Sequence, residues 1–413
     1  MTFRTPRLAA ALLAALPLGS AWAGGFQNLP PSAYALGLAG AVTASARDAS
    51  CAWFNPGALG MLDSASVSIG LTAQNVRRAF RSASTRQAAL TEIAPTLGPN
   101  LYAALPLDSA HRIVVGLSVN SPFGYDTEWP ADWQGRALVQ RSRVRTFFVQ
   151  PTAAYRVTDN FSIGAGAVLV GADLLVNRAV GEFDGATAAY DASGTGAGWH
   201  VGVMGRSGDA VSFGLAFRSP VKIKMDDGTA TFAGIPASQA FRFPASATFG
   251  TELRLPWQLS AGISNAVTDK LLLNFSFELS GWSAYDSLNI VYSDNARPTE
   301  RGGRRYEDAM AFRVGAEYQL RPRLAVRAGI LYDESPVRDQ NITADLPDAN
   351  LLGASVGAGY RIGRHLVVDA AYAYGQSARR TSRADVTALT VPAIAGQFRN
   401  LVHAGALNVT YRF

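Results

Sequence analysis

The side chains able to do bond-breaking chemistry are few and scattered. The four histidines, at positions 111, 200, 365 and 403, stand too far apart for a metal site and show no His-Glu-x-x-His spacing. Cys51 is the only cysteine, so no disulfide forms within the chain. A hydrolase would have to draw its residues from distant segments. What remains is cation chemistry. Arg218, Lys222 and Lys224 share one parity, opposite Phe213, Leu215, Phe217 and Val221. Arg301, Arg304 and Arg305 cluster further on, ahead of Arg313, Glu317 and Arg327. A guanidinium or ammonium that is not fully neutralised binds a carboxylate through charge-assisted hydrogen bonds. Otherwise each of these closes an ion pair.

The elements that position these groups alternate with a period of two. Ala65, Val67, Ile69 and Leu71 alternate with Ser66, Ser68, Gly70 and Thr72. Met310, Phe312, Val314, Ala316 and Tyr318 alternate with Ala311, Arg313, Gly315, Glu317 and Gln319, and Leu324–Tyr332 and Leu407–Phe413 repeat the pattern. No later run approaches the length of a transmembrane helix. Alternation without long apolar runs fits strands with one face on lipid. A charge on that face costs ~2–4 kcal/mol at mid-depth, so Arg313, Glu317 and Arg327 are expected to point inward. Spans near 141–155 and 160–176 are apolar on both faces, and their orientation stays open.

Connections set the count. Short ones fall at 108–110, 158–160, 208–209, 268–269, 321–322 and 363–364, and long ones near 75–96, 122–140, 177–195, 226–244, 294–305, 334–350 and 378–399. Their alternation predicts an all-β fold: a 14-stranded antiparallel transmembrane β-barrel over residues 63–413. Both ends lie in the periplasm, with short turns there and long loops outside.

The chain opens differently. Arg4 and Arg7, an apolar stretch from Leu8 to Leu18 and Ala21-Trp22-Ala23 read as a signal peptide over residues 1–23. Its removal leaves 35 basic against 31 acidic residues, a mature net charge of +4. Residues 24–62 are rich in Gly, Ala and Ser, with neither period, and carry only Arg47 and Asp48 as charges. Such a segment suits tight folding in a confined space. A barrel of this size lies between one filled by its own side chains and an open channel, so it has room for a plug. Residues 24–62 are expected to be that hatch, inside the lumen.

Gly25-Phe26-Gln27 at the mature start, Asn55-Pro56-Gly57 some thirty residues on, and the terminal Phe413 together resemble the FadL-type family of outer-membrane transporters of fatty acids and other hydrophobic compounds. The family usually has Asn-Pro-Ala where this chain has Gly57. The resemblance implies passive transport of long-chain fatty acids or similar molecules: capture outside, luminal binding, then lateral release through a gap near the third strand. It implies that Phe26 touches ligand; the alternative is that Phe26 packs against the barrel wall as plug core. It implies a gate of Asn55, Pro56 and Gly57 with Asn120, Pro122 and Gly124, and a capture loop presenting Trp129 and Trp133. The alternatives are that Pro122 merely ends a strand and that the tryptophans form a small loop core. A short helix is expected from Pro130.

For a carboxylate head group the candidates are Arg218, Lys222, Arg304, Arg305, Arg313 and Arg327. The family's basic residue on strand five has no counterpart near Ala172, and Gly302 stands nearest the family's carboxylate-binding lysine. Neutral aromatic hydrocarbons are therefore the alternative cargo, and a structural or adhesive barrel is the alternative class. Arginines 77, 78, 81, 379, 380 and 383 are placed in outer loops, where they can meet lipopolysaccharide phosphates. The aromatic terminus Phe413 looks like a signal for the barrel-assembly machinery. Neither cofactor, metal nor nucleic acid is expected, and the expected state is a monomer in the outer membrane.

Overall fold

The computed structural model describes residues 24–92, 94–294, 298–382 and 394–413. The expected signal segment lies outside them. Among the described residues the wall has fourteen strands: β1 (Ser66–Ser82), β2 (Thr96–Pro106), β3 (Ile113–Asn120, resuming as Gly124–Glu128), β4 (Arg141–Thr158), β5 (Phe161–Ala179), β6 (Thr187–Ser207), β7 (Val211–Arg218, resuming as Val221–Ala233), β8 (Ser246–Leu255, resuming as Gln258–Ala266), β9 (Leu271–Ser280), β10 (Ala309–Arg321), β11 (Leu324–Asp333), β12 (Leu351–Ile362), β13 (Leu366–Ser377) and β14 (Gly396–Arg412). Each is antiparallel to the next, and β14 closes on β1 from Ser66↔Arg412 to Ser82↔Gly396. Phe413 donates its N–H to the Ala65 carbonyl at 3.0 Å. Closure leaves no end-strand edge facing lipid, where unpaired backbone groups would be costly.

Alternation sorts the side chains. Ile69, Phe147, Tyr155, Ile163, Val314, Ile330, Val356 and Leu407 are exposed on the outside, while Ser118, Gln150, Arg313, Glu317 and Arg327 are buried inside. The spans whose orientation stayed open on sequence are apolar on both faces because the lumen beside them is itself apolar. Val144, Phe148, Val168, Val170, Leu174, Ile223, Phe249 and Trp282 pack there as one cluster. Several expected long loops are largely strand. β4, β5 and β6 run 18, 19 and 21 residues, beyond the roughly ten that cross the apolar band.

Residues 24–62 fold as short turns and three brief helices, α1 (Ala33–Gly37), α2 (Cys51–Phe54) and α3 (Pro56–Leu59). Helix α1 touches β11–β14, and α3 touches β3–β7. The segment therefore reaches both sides of the ring.

Candidate functional site

The third strand breaks where Pro122 and Gly124 stand. Asn120 is the last residue of its first half paired with β4, opposite Phe148, and pairing resumes at Gly124↔Arg145. Three residues thus oppose two, a bulge. Gly124 has φ +155°, and a Cβ there would lie 2.7 Å from the Val144 carbonyl oxygen, so the break needs glycine at this point. Ser121 Oγ donates to Thr146 O at 2.6 Å, and Thr146 Oγ1 donates to Phe123 O at 2.6 Å, holding the bulge open. The consequence reaches the neighbouring strand. β2 pairs with β3 only from Leu101 to Pro106, and the Gly124–Glu128 half pairs with β4 alone. Among the described residues, Thr96–Asn100 of β2 has no ladder on this side.

The N-terminal segment lies behind that break. Asn28 N donates to Pro122 O and Gly124 N donates to Phe26 O, both at 2.8 Å, with Gln27 bridged to Phe123 between them. Asn28 Nδ2 adds a bond to Ser121 O at 3.0 Å. Residues 26–28 thus act as a short extra strand along the inner edge of the bulge. Phe26 is buried, with ring centroids 4.7 Å from Trp282 and 5.5 Å from Tyr285. A cavity beside it is lined by Gly24–Leu29, Gln74, Val76, Arg78 and, on the two edges of the gap, Thr96 and Gly124–Asp126. Asp348, in the loop before β12, accepts from Gly25 N at 3.1 Å and from Ser335 Oγ at 2.7 Å. Burial pushes its carboxyl up to about 7, against the pull of those bonds and of Arg380.

Asn55, Pro56 and Gly57 lie elsewhere. The expected place for this turn was behind the break; it sits instead against β5, β6 and β7. Asn55 caps α3 by accepting from Gly57 N at 3.0 Å, with Pro56 at the first helical position, which needs no N–H. Its Nδ2 donates to Thr43 O at 2.9 Å and to Val203 O of β6 at 3.0 Å. A Cβ on Gly57 would lie 2.7 Å from the Val203 backbone. That close approach accounts for glycine where alanine is usual.

The candidate cations separate into groups. Arg218 lies half-buried over the Trp53 ring at 3.7 Å and donates to Trp53 O at 2.7 Å and Gln258 Oε1 at 2.6 Å. Arg313 pairs with Asp333 at 3.1 Å. Arg327 sits between Glu317 at 2.7 Å and Asp369 at 2.6 Å, and Arg47 of the N-terminal segment completes the set on Glu317. Arg304 pairs with Asp345 at 2.6 Å. Burial alone would raise the Asp345 carboxyl, but Arg304 beside it holds it below the usual carboxylate range. Arg305 is exposed.

Lys222 is a correction. The interruption at Ser219-Pro220 shifts the parity of β7, so Val221, Ile223 and Met225 turn inward while Lys222 and Lys224 turn outward, and Lys222 pairs with Glu252 on the outer surface. A one-residue slip moves every following side chain to the other face. Trp129 and Trp133 are a second correction. They are buried, stack at 4.6 Å, pack with Phe80 and Phe398, and donate to Ala344 O and Val139 O. They form a loop core, not an exposed capture surface, and the chain after Pro130 makes turns in place of the expected helix. Of the outer-loop arginines, Arg77, Arg81 and Arg379 are exposed, Arg380 pairs with Asp339, and Arg383 lies outside the described residues. Arg78 instead faces the lumen, which its parity on an extended β1 would have revealed. Gly353–Gly357 spells Gly-x-Ser-x-Gly, but β12 runs through it unbroken, without the sharp strand-to-helix turn that a nucleophile requires.

A family model described as outer membrane protein transport protein (OMPP1/FadL/TodX) matches residues 14–413. Outer membrane protein P1 of Haemophilus influenzae is 28% identical over 307 residues, covering 67% of this chain and 65% of its own. The long-chain fatty acid transport protein of Escherichia coli strain K12 is 26% identical over 419 residues, covering 90% and 92%. Among solved structures, a Pseudomonas aeruginosa FadL homologue superposes with TM-score 0.83 at 19% identity, over 94% of this chain and 100% of its own. The Ralstonia pickettii toluene transporter TbuX superposes with TM-score 0.70 at 18% identity, over 94% and 99%.

Proposed function

This chain belongs to the OMPP1/FadL/TodX family of outer-membrane transport proteins, and from that premise we propose that it admits long-chain fatty acids or similar hydrophobic molecules and releases them sideways through the break in β3. The observation that carries this reading is the missing ladder between Thr96–Asn100 and Gly124–Glu128, with a luminal cavity lined by both edges. Apolar surface is costly in water at ~25 cal/mol per Å². A lateral exit delivers the cargo to the bilayer and avoids that cost.

Residues 24–62 are the hatch in this scheme. Phe26-Gln27-Asn28 closes the luminal side of the gap, and Asn55 and Arg47 fasten the rest of the hatch to the wall. Moving the first segment exposes the cavity without unfolding the second. Neutral hydrocarbons on the same scaffold are the second reading, favoured by the neutralisation of Arg304, Arg313 and Arg327 within the barrel. Lipopolysaccharide contact through exposed arginines such as Arg77 and Arg81, recognition of Phe413 by the assembly machinery and a monomeric state complete the proposal.

The test is a lock. Gln27 and Phe123 are directly opposed in an antiparallel bridge, a spacing that a disulfide can span. In a Cys51→Ser background, Gln27→Cys with Phe123→Cys should abolish oleate uptake by intact cells under oxidising conditions and restore it on reduction. Undiminished uptake with the bond formed would show that cargo does not pass this gap.

A further inference from the structure

Among the described residues Arg78 is the one cationic side chain lining the gap-side cavity, and unlike Arg304, Arg313 and Arg327 it has no acid as its partner. It points inward from β1, is 5% exposed, and has no carboxylate within ion-pair distance among the described residues. Its Nη1 donates to the Asp126 carbonyl at 3.1 Å, and its Nε has no partner. A buried guanidinium is costly to leave unpaired. The acids on the same cavity are occupied. Asp126 is held by Arg141 at 3.0 Å and Asp333 by Arg313 at 3.1 Å. Asp348 is held by Ser335 and Gly25, and burial favours its neutral form. Val76, Phe26, Leu346 and Val402 supply apolar lining beside the cation.

We propose that Arg78 is the head-group site of the transported molecule, binding the carboxylate of a long-chain amphiphile at the luminal mouth of the lateral gap. This rests on the transport reading above and narrows its cargo to anion-headed chains. A carboxylate entering the cavity meets the side of this guanidinium that faces it and pairs with it through charge-assisted hydrogen bonds. The site lies next to the exit, not on strand five or before strand ten. That position explains how the chain manages without a cation near Ala172 and with Arg304 already paired to Asp345.

The test measures binding of oleate and of oleyl alcohol, which share a chain and differ in head group, to purified detergent-solubilised protein. The unaltered protein should prefer oleate. Arg78→Gln should weaken oleate binding roughly tenfold to hundredfold and leave oleyl alcohol binding unchanged, with Arg78→Lys recovering part of the loss. Heat-resistant migration of each variant establishes that the barrel is folded. If Arg78→Gln is folded and binds oleate as tightly as the unaltered protein, the assignment is wrong while the transport reading stands. If the unaltered protein binds neither probe, the fatty-acid reading itself fails and takes this site with it.

Discussion

Asn55→Ala isolates what holds the second half of the hatch. The Asn55 side chain is fully buried and makes three bonds: one to Gly57 N as helix cap, and two from its Nδ2 to Thr43 O and Val203 O. Loss of the cap costs about 1 kcal/mol. Each lost donated bond adds ~0.5–1.5 kcal/mol. The sum is roughly 2–4 kcal/mol, or between about 30-fold and several hundred-fold in the docking equilibrium. The wall strands keep all their ladder bonds, so the barrel should stay heat-resistant. Hydrogen exchange followed by mass spectrometry should then show faster exchange in peptides covering residues 43–60, with β5 and β6 unaffected. Asn55→Asp keeps the cap acceptor but turns a buried carboxylate oxygen toward the Thr43 and Val203 carbonyls, so it should loosen this segment at least as much as Asn55→Ala. Unchanged protection over 43–60 in a folded Asn55→Ala barrel would refute the reasoning, because it would mean that these three bonds do not hold the hatch.

Asp348 supplies a pH dependence. Its carboxyl rises from the usual 3.8 to about 7 in the folded protein, so the folded state binds the proton more tightly and stability is lost as pH climbs between those values. The thermal midpoint of the purified barrel should fall over that window, and Asp348→Asn should flatten the fall; an equal slope in both would remove Asp348 from the account. Trp133→Ala removes a buried, stacked ring and should destabilise the outer loop by ~3–5 kcal/mol. Protease should then cut near residues 129–140 on intact cells, whereas weaker ligand capture with an intact loop would restore the capture-surface idea. Arg327→Met strands Asp369, leaves Glu317 with Arg47 alone and should cost ~3–5 kcal/mol, read as a lower thermal midpoint; a neutral result would mean that water reaches Asp369. Pro122→Val with Gly124→Val restores a backbone donor at 122 and adds a side chain at 124, and should leave a barrel that binds oleate but imports it poorly. Import at the unaltered rate would mean that the break in β3 only ends a strand.

Much of the wall was legible from one parity rule. Lipid outside and buried polar groups inside force a period of two, so Ile69, Val314 and Leu407 could be placed outward and Arg313, Glu317 and Arg327 inward without coordinates. The fourteen strands followed from alternating short and long connections, because turn length reports which side of the membrane a turn occupies. The break at Pro122 and Gly124 was legible too, since neither residue completes a ladder well.

Parity fails wherever an irregularity intervenes. Ser219-Pro220 reset the face of Lys222, and no count along the chain reveals whether a proline adds a bulge or ends a strand. Arg78 was misplaced because β1 continues above the apolar band, where lipid no longer forces the pattern that marks a strand. The partners of each arginine, the burial of Trp129 and Trp133, and the choice of Phe26-Gln27-Asn28 over Asn55-Pro56 to back the gap all depend on contacts between residues tens to hundreds of positions apart. Residue type says that a cation can bind a carboxylate. Only the closed ring decides which cations already have one.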